Sequence, residues 1–131
     1  MKKFENFVNS LEVLNKADFS KQDELYRMGV VAQFNLTFEL AWKAMQAILP
    51  LYGVDGAKLL TPRDVLKTAY SSGFIKDDAN WLLMLKSRNI SVHVYDEELA
   101  DKLLELIKDN FIMEFQKLKA TLELKLQDLK V

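Results

Sequence analysis

The sequence predicts an all-α protein, an up-and-down antiparallel bundle of four to five helices. Three observations lead there. Glycine (4) and proline (2) are scarce in a chain of 131 residues, too scarce for a turn-rich β architecture. Apolar residues recur at spacings of three and four along most of the length. No segment alternates apolar and polar residues as a half-buried strand does, and no internal repeat is present. Half of the residues are hydrophobic, enough for one real core, so residues 1–131 read as a single domain.

The elements follow in order. Over residues 2–16, Phe4, Phe7, Val8, Leu11 and Leu14 form one apolar stripe. Asp18-Phe19-Ser20 interrupts it, and Ser20 is the expected cap of the next helix. Residues 21–49 read as one long helix, without proline until Pro50. Within it Phe34, Phe38 and Trp42 keep an i, i+4, i+8 line that reads as aromatic core. Asn35 and Glu39 stand beside these large apolar residues, and a buried polar group there needs a partner. They could serve an interface or a pocket, or edge the stripe.

Pro50 to Leu60, with Gly53, Asp55 and Gly56, reads as a loop. Thr61-Pro62-Arg63-Asp64 is a helix start: Thr61 caps, Pro62 takes the first helical position, and Asp64 stands where a capping-box acid would. Gly73 reads as the stop of that short helix. Residues 76–90 predict another helix, with Trp81, Leu82 and Leu85 on its apolar side and Ile90 a candidate to extend it. Asp96 is the expected cap of a final long helix, and Glu97 and Glu98 suit its positive N-terminal end. Its periodic residues read as Leu99, Leu103, Leu106, Asn110, Met113, Lys117 and Leu122. Leu122, Leu124, Leu126 and Leu129 occupy more than one face, as a frayed tail or a partner-binding surface would.

Composition narrows the chemistry. With no cysteine, a disulfide framework and thiolate catalysis are excluded, which suits a cytoplasmic location. The N-terminus is charged and amphipathic, unlike a signal peptide, and no run approaches the ~20 apolar residues of a membrane span. A net charge of -1 argues against a broadly basic nucleic-acid binder, leaving room for a local nucleotide or RNA site. One histidine and no cysteine give poor support for a metal site. There is no glycine-rich phosphate loop. Ser87, Ser91, His93 and Asp96 supply the residue types of a hydrolase triad, but no orientation is readable from them.

The connection between the last two helices draws attention. Ser87 to Glu98, SRNISVHVYDEE, holds the lone His93, with Arg88 five residues before it and Tyr95 two after. Arginine offers a fixed fork of donors for phosphate. Histidine exchanges a proton near neutral pH. Tyrosine offers a hydroxyl that can accept a group. These are the parts of a metal-independent ribonuclease site. They are equally the parts of an ordinary helix connection, in which His93 caps a helix and Arg88 pairs with Asp96 or Glu97. Lys86 and Arg88 are outnumbered by Asp77, Asp78, Asp96, Glu97 and Glu98, whereas a phosphate backbone prefers surplus positive charge.

Three blocks in order tip the balance: QFNLTFELAWK (Gln33 to Lys43), TPRDVLKTAYSSGFI (Thr61 to Ile75) and WLLMLKSRNISVHVYDEE (Trp81 to Glu98). Together they resemble the nucleotidyltransferase substrate-binding protein family of the HEPN superfamily, over about residues 21 to 110. The resemblance implies a HEPN-like helical bundle that associates as a homodimer and forms a complex with a minimal nucleotidyltransferase, as in toxin–antitoxin pairs. It implies that Arg88 and His93 are ribonuclease residues, that Asn89 is auxiliary or nucleotide-binding, and that Tyr95, in an Arg-x4-His-x-Tyr motif, is adenylylated by the partner. This chain would need no cofactor of its own; ATP and Mg would be used by the partner enzyme. A second implication is a non-catalytic subunit that presents nucleotide or substrate to that enzyme. One departure stands out. The family pattern often places Arg-Phe-Glu where this chain has Gln33-Phe34-Asn35, so two charges are missing from that face of the long helix, and RNA contact and partner affinity would both change if that face lines the dimer cleft.

Overall fold

The computed structural model describes residues 1–90 and 96–130; at Asn89 and Ile90 the description covers the backbone alone. The described residues are all-α, with no strand among them. Helix α1 spans Lys2–Asn15, α2 Glu24–Ile48, α3 Pro62–Ser71 and α4 Asp78–Ile90. The fifth rod is α5 (Glu97–Leu106) and α6 (Ile112–Asp128), joined by a π-helical turn over Ile107–Phe111. Two 3₁₀ turns form between α2 and α3, Leu49–Tyr52, which starts one residue before the expected loop, and Gly56–Lys58 within it.

The starts of α2, α3 and α5 obey capping chemistry. Thr61 Oγ1 accepts the Asp64 amide at 3.1 Å, with Pro62 opening α3. The Asp96 carboxylate accepts the amides of Glu98 (2.9 Å) and Leu99 (3.3 Å). Gly73 ends α3's exit turn at φ 80, a left-handed geometry that glycine adopts without Cβ strain. Ser20 does not cap α2. Its amide and hydroxyl both turn back to Asp18, and Asp23 caps instead, taking the Leu25 amide at 2.8 Å. Aspartate brings a full negative charge to the positive end of the helix, which serine cannot.

Helix α2 is the hub and touches every other helix. Phe34, Phe38, Ala41, Met45 and Ile48 of α2 are all fully buried. The Phe34 ring stacks on Phe111 at 5.2 Å, Phe38 lies 6.3 Å from Trp81, and Phe115 meets Trp81 at 5.7 Å and Phe7 at 6.1 Å. Each such pair adds about 0.5–1.5 kcal/mol beyond its buried area. One aromatic knot thus ties α1, α2, α4 and the last rod together.

The last rod corrects the expected periodicity. Its buried line is Leu103, Ile107, Phe111, Phe115, Leu118 and Leu122, while Leu99, Met113 and Lys117 are exposed. Steps of four overshoot an ordinary helical turn by about 40° each, so three in a row would leave the core. The π-helical turn takes more residues per turn and keeps Ile107, Phe111 and Phe115 on one side. At the same turn Asn110 exchanges two hydrogen bonds with Asn80 of α4, at 2.6 and 2.8 Å. Toward the C-terminus Leu122 is buried and Leu126 packs on the core, whereas Leu124 and Leu129 are exposed.

Candidate functional site

Arg88 lies on the last turn of α4, the first described part of the Arg-x4-His-x-Tyr motif. Its guanidinium donates to the Glu39 carboxylate of α2 in a close ion pair. The guanidinium carbon also stands 5.7 Å over the centre of the Phe38 ring, a cation–π arrangement suited to a planar cation. Glu39 is itself fixed. Its other oxygen accepts Trp42 Nε1 at 3.0 Å, and Lys43 approaches to 3.9 Å. The pair is neither buried nor fully solvated, with 26% of the Arg88 side chain and 35% of the Glu39 side chain exposed. Such a geometry presents a preoriented cation to an incoming anion.

One of the polar residues beside the aromatic stripe thus has its partner. Glu39 is the acid that pairs with Arg88, in place of Asp96 or Glu97 from the local sequence. Asp96 is engaged as the cap of α5. Asn35 lies one helical turn before Glu39 on the same face of α2. A further turn on, Val31 and Met28 border Glu97, Ala100 and Leu104 of α5 around a small cleft of about 130 Å³. The end of α4 and the start of α5 therefore both converge on one face of α2, from Met28 to Trp42.

Gln33 and Asn35 do not share a face. The Gln33 side chain turns to α1, donating to Ser10 O (3.1 Å) and Ser10 Oγ (2.9 Å). The buried Ser10 and Thr37 hydroxyls meet at 2.7 Å beside it, and Thr37 donates back to Gln33 O. A glutamine here closes a neutral network between α1 and α2, where an arginine would bury a charge next to two hydroxyls. Of the two departures, only Asn35 faces the Arg88 side of α2.

Of the residues singled out by sequence, Arg88 is placed with its surroundings. Asn89 belongs to the last turn of α4 by its backbone, and its side chain lies outside the described residues. His93 and Tyr95 also lie outside them. Among the described residues no group of three or more histidine, cysteine, aspartate or glutamate side chains clusters to hold a metal ion. No helix among them is long and apolar enough to cross a membrane. The partner of Arg88 escaped sequence reading because it is 49 residues away. The available signal was a carboxylate, Glu39, set among residues that pack.

Comparison with known proteins shows the family and the fold. Residues 2–124 match the family described as nucleotidyltransferase substrate binding protein like, and the chain belongs to that family. A Haemophilus influenzae protein named probable ribonuclease HepT is 31% identical over 88 residues, 66% of this chain and 60% of the relative. The chain thus matches about three fifths of that relative's length. A crystal structure from Thermus thermophilus, of the protein ttk003001694, superposes with a TM-score of 0.72 at 26% identity, over 95% of this chain and 99% of that one. The structure of HI0074 from Haemophilus influenzae, described as the substrate binding domain of a nucleotidyltransferase, shares the fold. Its TM-score is 0.70 at 24% identity, over 93% of this chain and 95% of that one.

Proposed function

We propose that this chain is the RNA-cleaving component of a nucleotidyltransferase pair, a homodimer silenced when its partner adenylylates Tyr95. The observation that carries the reading is the Glu39–Arg88 pair: the motif's arginine is oriented, partly open to solvent and backed by an aromatic ring. The name of the Haemophilus relative supports ribonuclease chemistry, and the family name supports the nucleotidyltransferase partner.

In this mechanism the Arg88 guanidinium holds the scissile phosphate and stabilises the charge that builds on its oxygens. His93 takes the proton of the ribose 2′-hydroxyl as the 2′-oxygen attacks phosphorus. The bond from phosphorus to the 5′-oxygen breaks. The His93 of the second copy supplies the proton that this oxygen needs, since twofold symmetry brings two motifs to one cleft. The products are a 2′,3′-cyclic phosphate and a 5′-hydroxyl end. Asn89 assists as an auxiliary polar group. No step is routed through a metal on this chain.

Silencing is a second, separate transfer. The Tyr95 oxygen attacks the α-phosphorus of ATP held with Mg in the partner enzyme, pyrophosphate leaves, and the phenol proton passes to solvent. The adenylyl group then puts negative charge and bulk where RNA phosphate must sit.

A second reading has its own observation. Arg88 already has a carboxylate partner, which lowers the net positive charge offered to RNA. A non-catalytic subunit that contacts nucleotide phosphate for the nucleotidyltransferase would tolerate that better. The experiment is intact mass and RNA cleavage on the same samples, before and after incubation with Mg-ATP and the cognate nucleotidyltransferase. Adenylylation of wild type but not of Tyr95→Phe, with cleavage lost on modification, is expected. A stable complex with an active partner but neither modification nor cleavage would leave the subunit reading.

A further inference from the structure

A second feature adjoins Arg88 along α4. An open groove of about 580 Å³ runs between the start of α3 and the length of α4. Arg63, Lys86 and Arg88 line it together with the apolar Leu82 and Leu83. Among the described residues no carboxylate lines it. Arg63 and Lys86 are exposed, and neither forms an ion pair with any described residue. The N-terminal end of the ten-residue α3 opens on the same groove through Thr61 and Pro62, adding partial positive charge.

This placement eases the charge conflict in the sequence around Arg88. Most of the acids that outnumber its cations are engaged elsewhere. Asp77 accepts the Asn80 amide at 2.9 Å to start α4. Asp96 caps α5, and Glu98 pairs with Lys102 at 3.7 Å. Arg63 and Lys86 line the same groove as Arg88, and the chain's net charge of -1 says nothing about that local surplus.

We infer that the Arg63–Lys86 groove is the path of a single RNA strand leading to Arg88, with Arg63 and Lys86 holding phosphates that flank the cleaved one. The inference deepens the ribonuclease reading and rests on it. From Ala79 to Arg88 the helix rise gives about 14 Å, longer than one phosphate needs, so a strand fits the groove better than a mononucleotide. The partly exposed Leu82 and Leu83 offer sugars and base faces an apolar contact without reading sequence. Two lysine or arginine contacts to phosphate give affinity that falls as salt rises.

The test is fluorescence anisotropy with a labelled ten-nucleotide single-stranded RNA and, as a second probe, AMP, over a range of salt. The proteins are the full chain, the double variant Arg63→Gln/Lys86→Gln, and Lys2→Gln/Lys3→Gln, which changes net charge equally on α1. Circular dichroism confirms that each is folded. The expected result is a loss of about tenfold in RNA affinity for the groove variant alone, with its salt slope reduced by about 1.4, two contacts at ~0.7 each for a single strand. Wild type that binds RNA, with equal affinity in the groove variant, would overturn the path and leave the ribonuclease reading standing. Wild type that binds AMP as well as the strand would overturn it in favour of a mononucleotide site. Wild type that neither binds nor cleaves RNA would remove both claims.

Discussion

Glu39 and Arg88, 49 residues apart in the chain, are joined in one close ion pair that ties the middle of α2 to the last turn of α4. The carboxylate orients the guanidinium and also competes with phosphate for it. Replacing Glu39 by glutamine separates those roles. Removing the negative charge should lower KM for RNA, because phosphate no longer contends with a carboxylate. Loss of the fixed orientation should lower kcat by about tenfold. Glu39 is a positioning residue in this account. Unchanged kcat and KM in a folded Glu39→Gln protein would make the pair a packing detail.

The aromatic knot sets stability. Phe34 is fully buried and lies against Phe38, Phe111 and Phe115. Phe34→Ala should cost about 3–5 kcal/mol, a large part of the roughly 5–15 kcal/mol that an ordinary domain possesses. Urea unfolding followed by circular dichroism measures it. Phe34→Leu, which keeps most of the volume, should cost less than half as much.

The amide pair at the π-helical turn should behave as a unit. Asn80→Ala or Asn110→Ala alone leaves a part-buried amide without its partner, at a cost of about 1–3 kcal/mol. The double variant removes both amides, so its cost should fall short of the sum by about 1 kcal/mol. A double-mutant cycle in urea reads this directly, and strict additivity would mean that solvent satisfies each amide.

Alkaline pH offers a further check. Desolvation, and then the nearby Asp128 charge, hold the Tyr52 phenol above its ordinary value of 10.0. Its hydroxyl donates to Lys125 O at 2.7 Å. A group whose folded pKa is raised keeps its proton more tightly in the folded state. Its stabilisation is therefore present below about pH 10 and lost as pH rises through the folded value. Tyr52→Phe should flatten the fall of stability above about pH 10, whatever it does to stability at neutral pH. An equally steep fall in the variant would assign that fall to other groups.

Local chemistry was legible in the sequence and long-range pairing was not. Thr61-Pro62 announced a helix start, Gly73 a stop, and Phe34, Phe38 and Trp42 a buried stripe, because each rests on residues within a few turns. Asp23 displaced Ser20 as a cap through charge, which a pattern of small polar residues does not rank. The buried line of the last rod was misread because a regular helical period cannot anticipate a π-helical turn. The two departures at Gln33 and Asn35 look alike in sequence. In the fold one completes a hydroxyl network with α1 and the other faces the motif-bearing side of α2. Glu39 was recognisable as a polar residue in need of a partner, but its partner could be found only in three dimensions.

The central claim is that Arg88 and His93 cleave RNA, and the most direct measurement is single-turnover cleavage of a defined RNA by purified wild type, Arg88→Ala, Arg88→Lys and His93→Ala, with product ends identified. The account predicts a 2′,3′-cyclic phosphate product from wild type and a rate lowered by at least about 100-fold in each variant, Arg88→Lys included because lysine lacks the fork. All four proteins should remain folded. Equal cleavage by wild type and the alanine variants, or none by any of them, would contradict it.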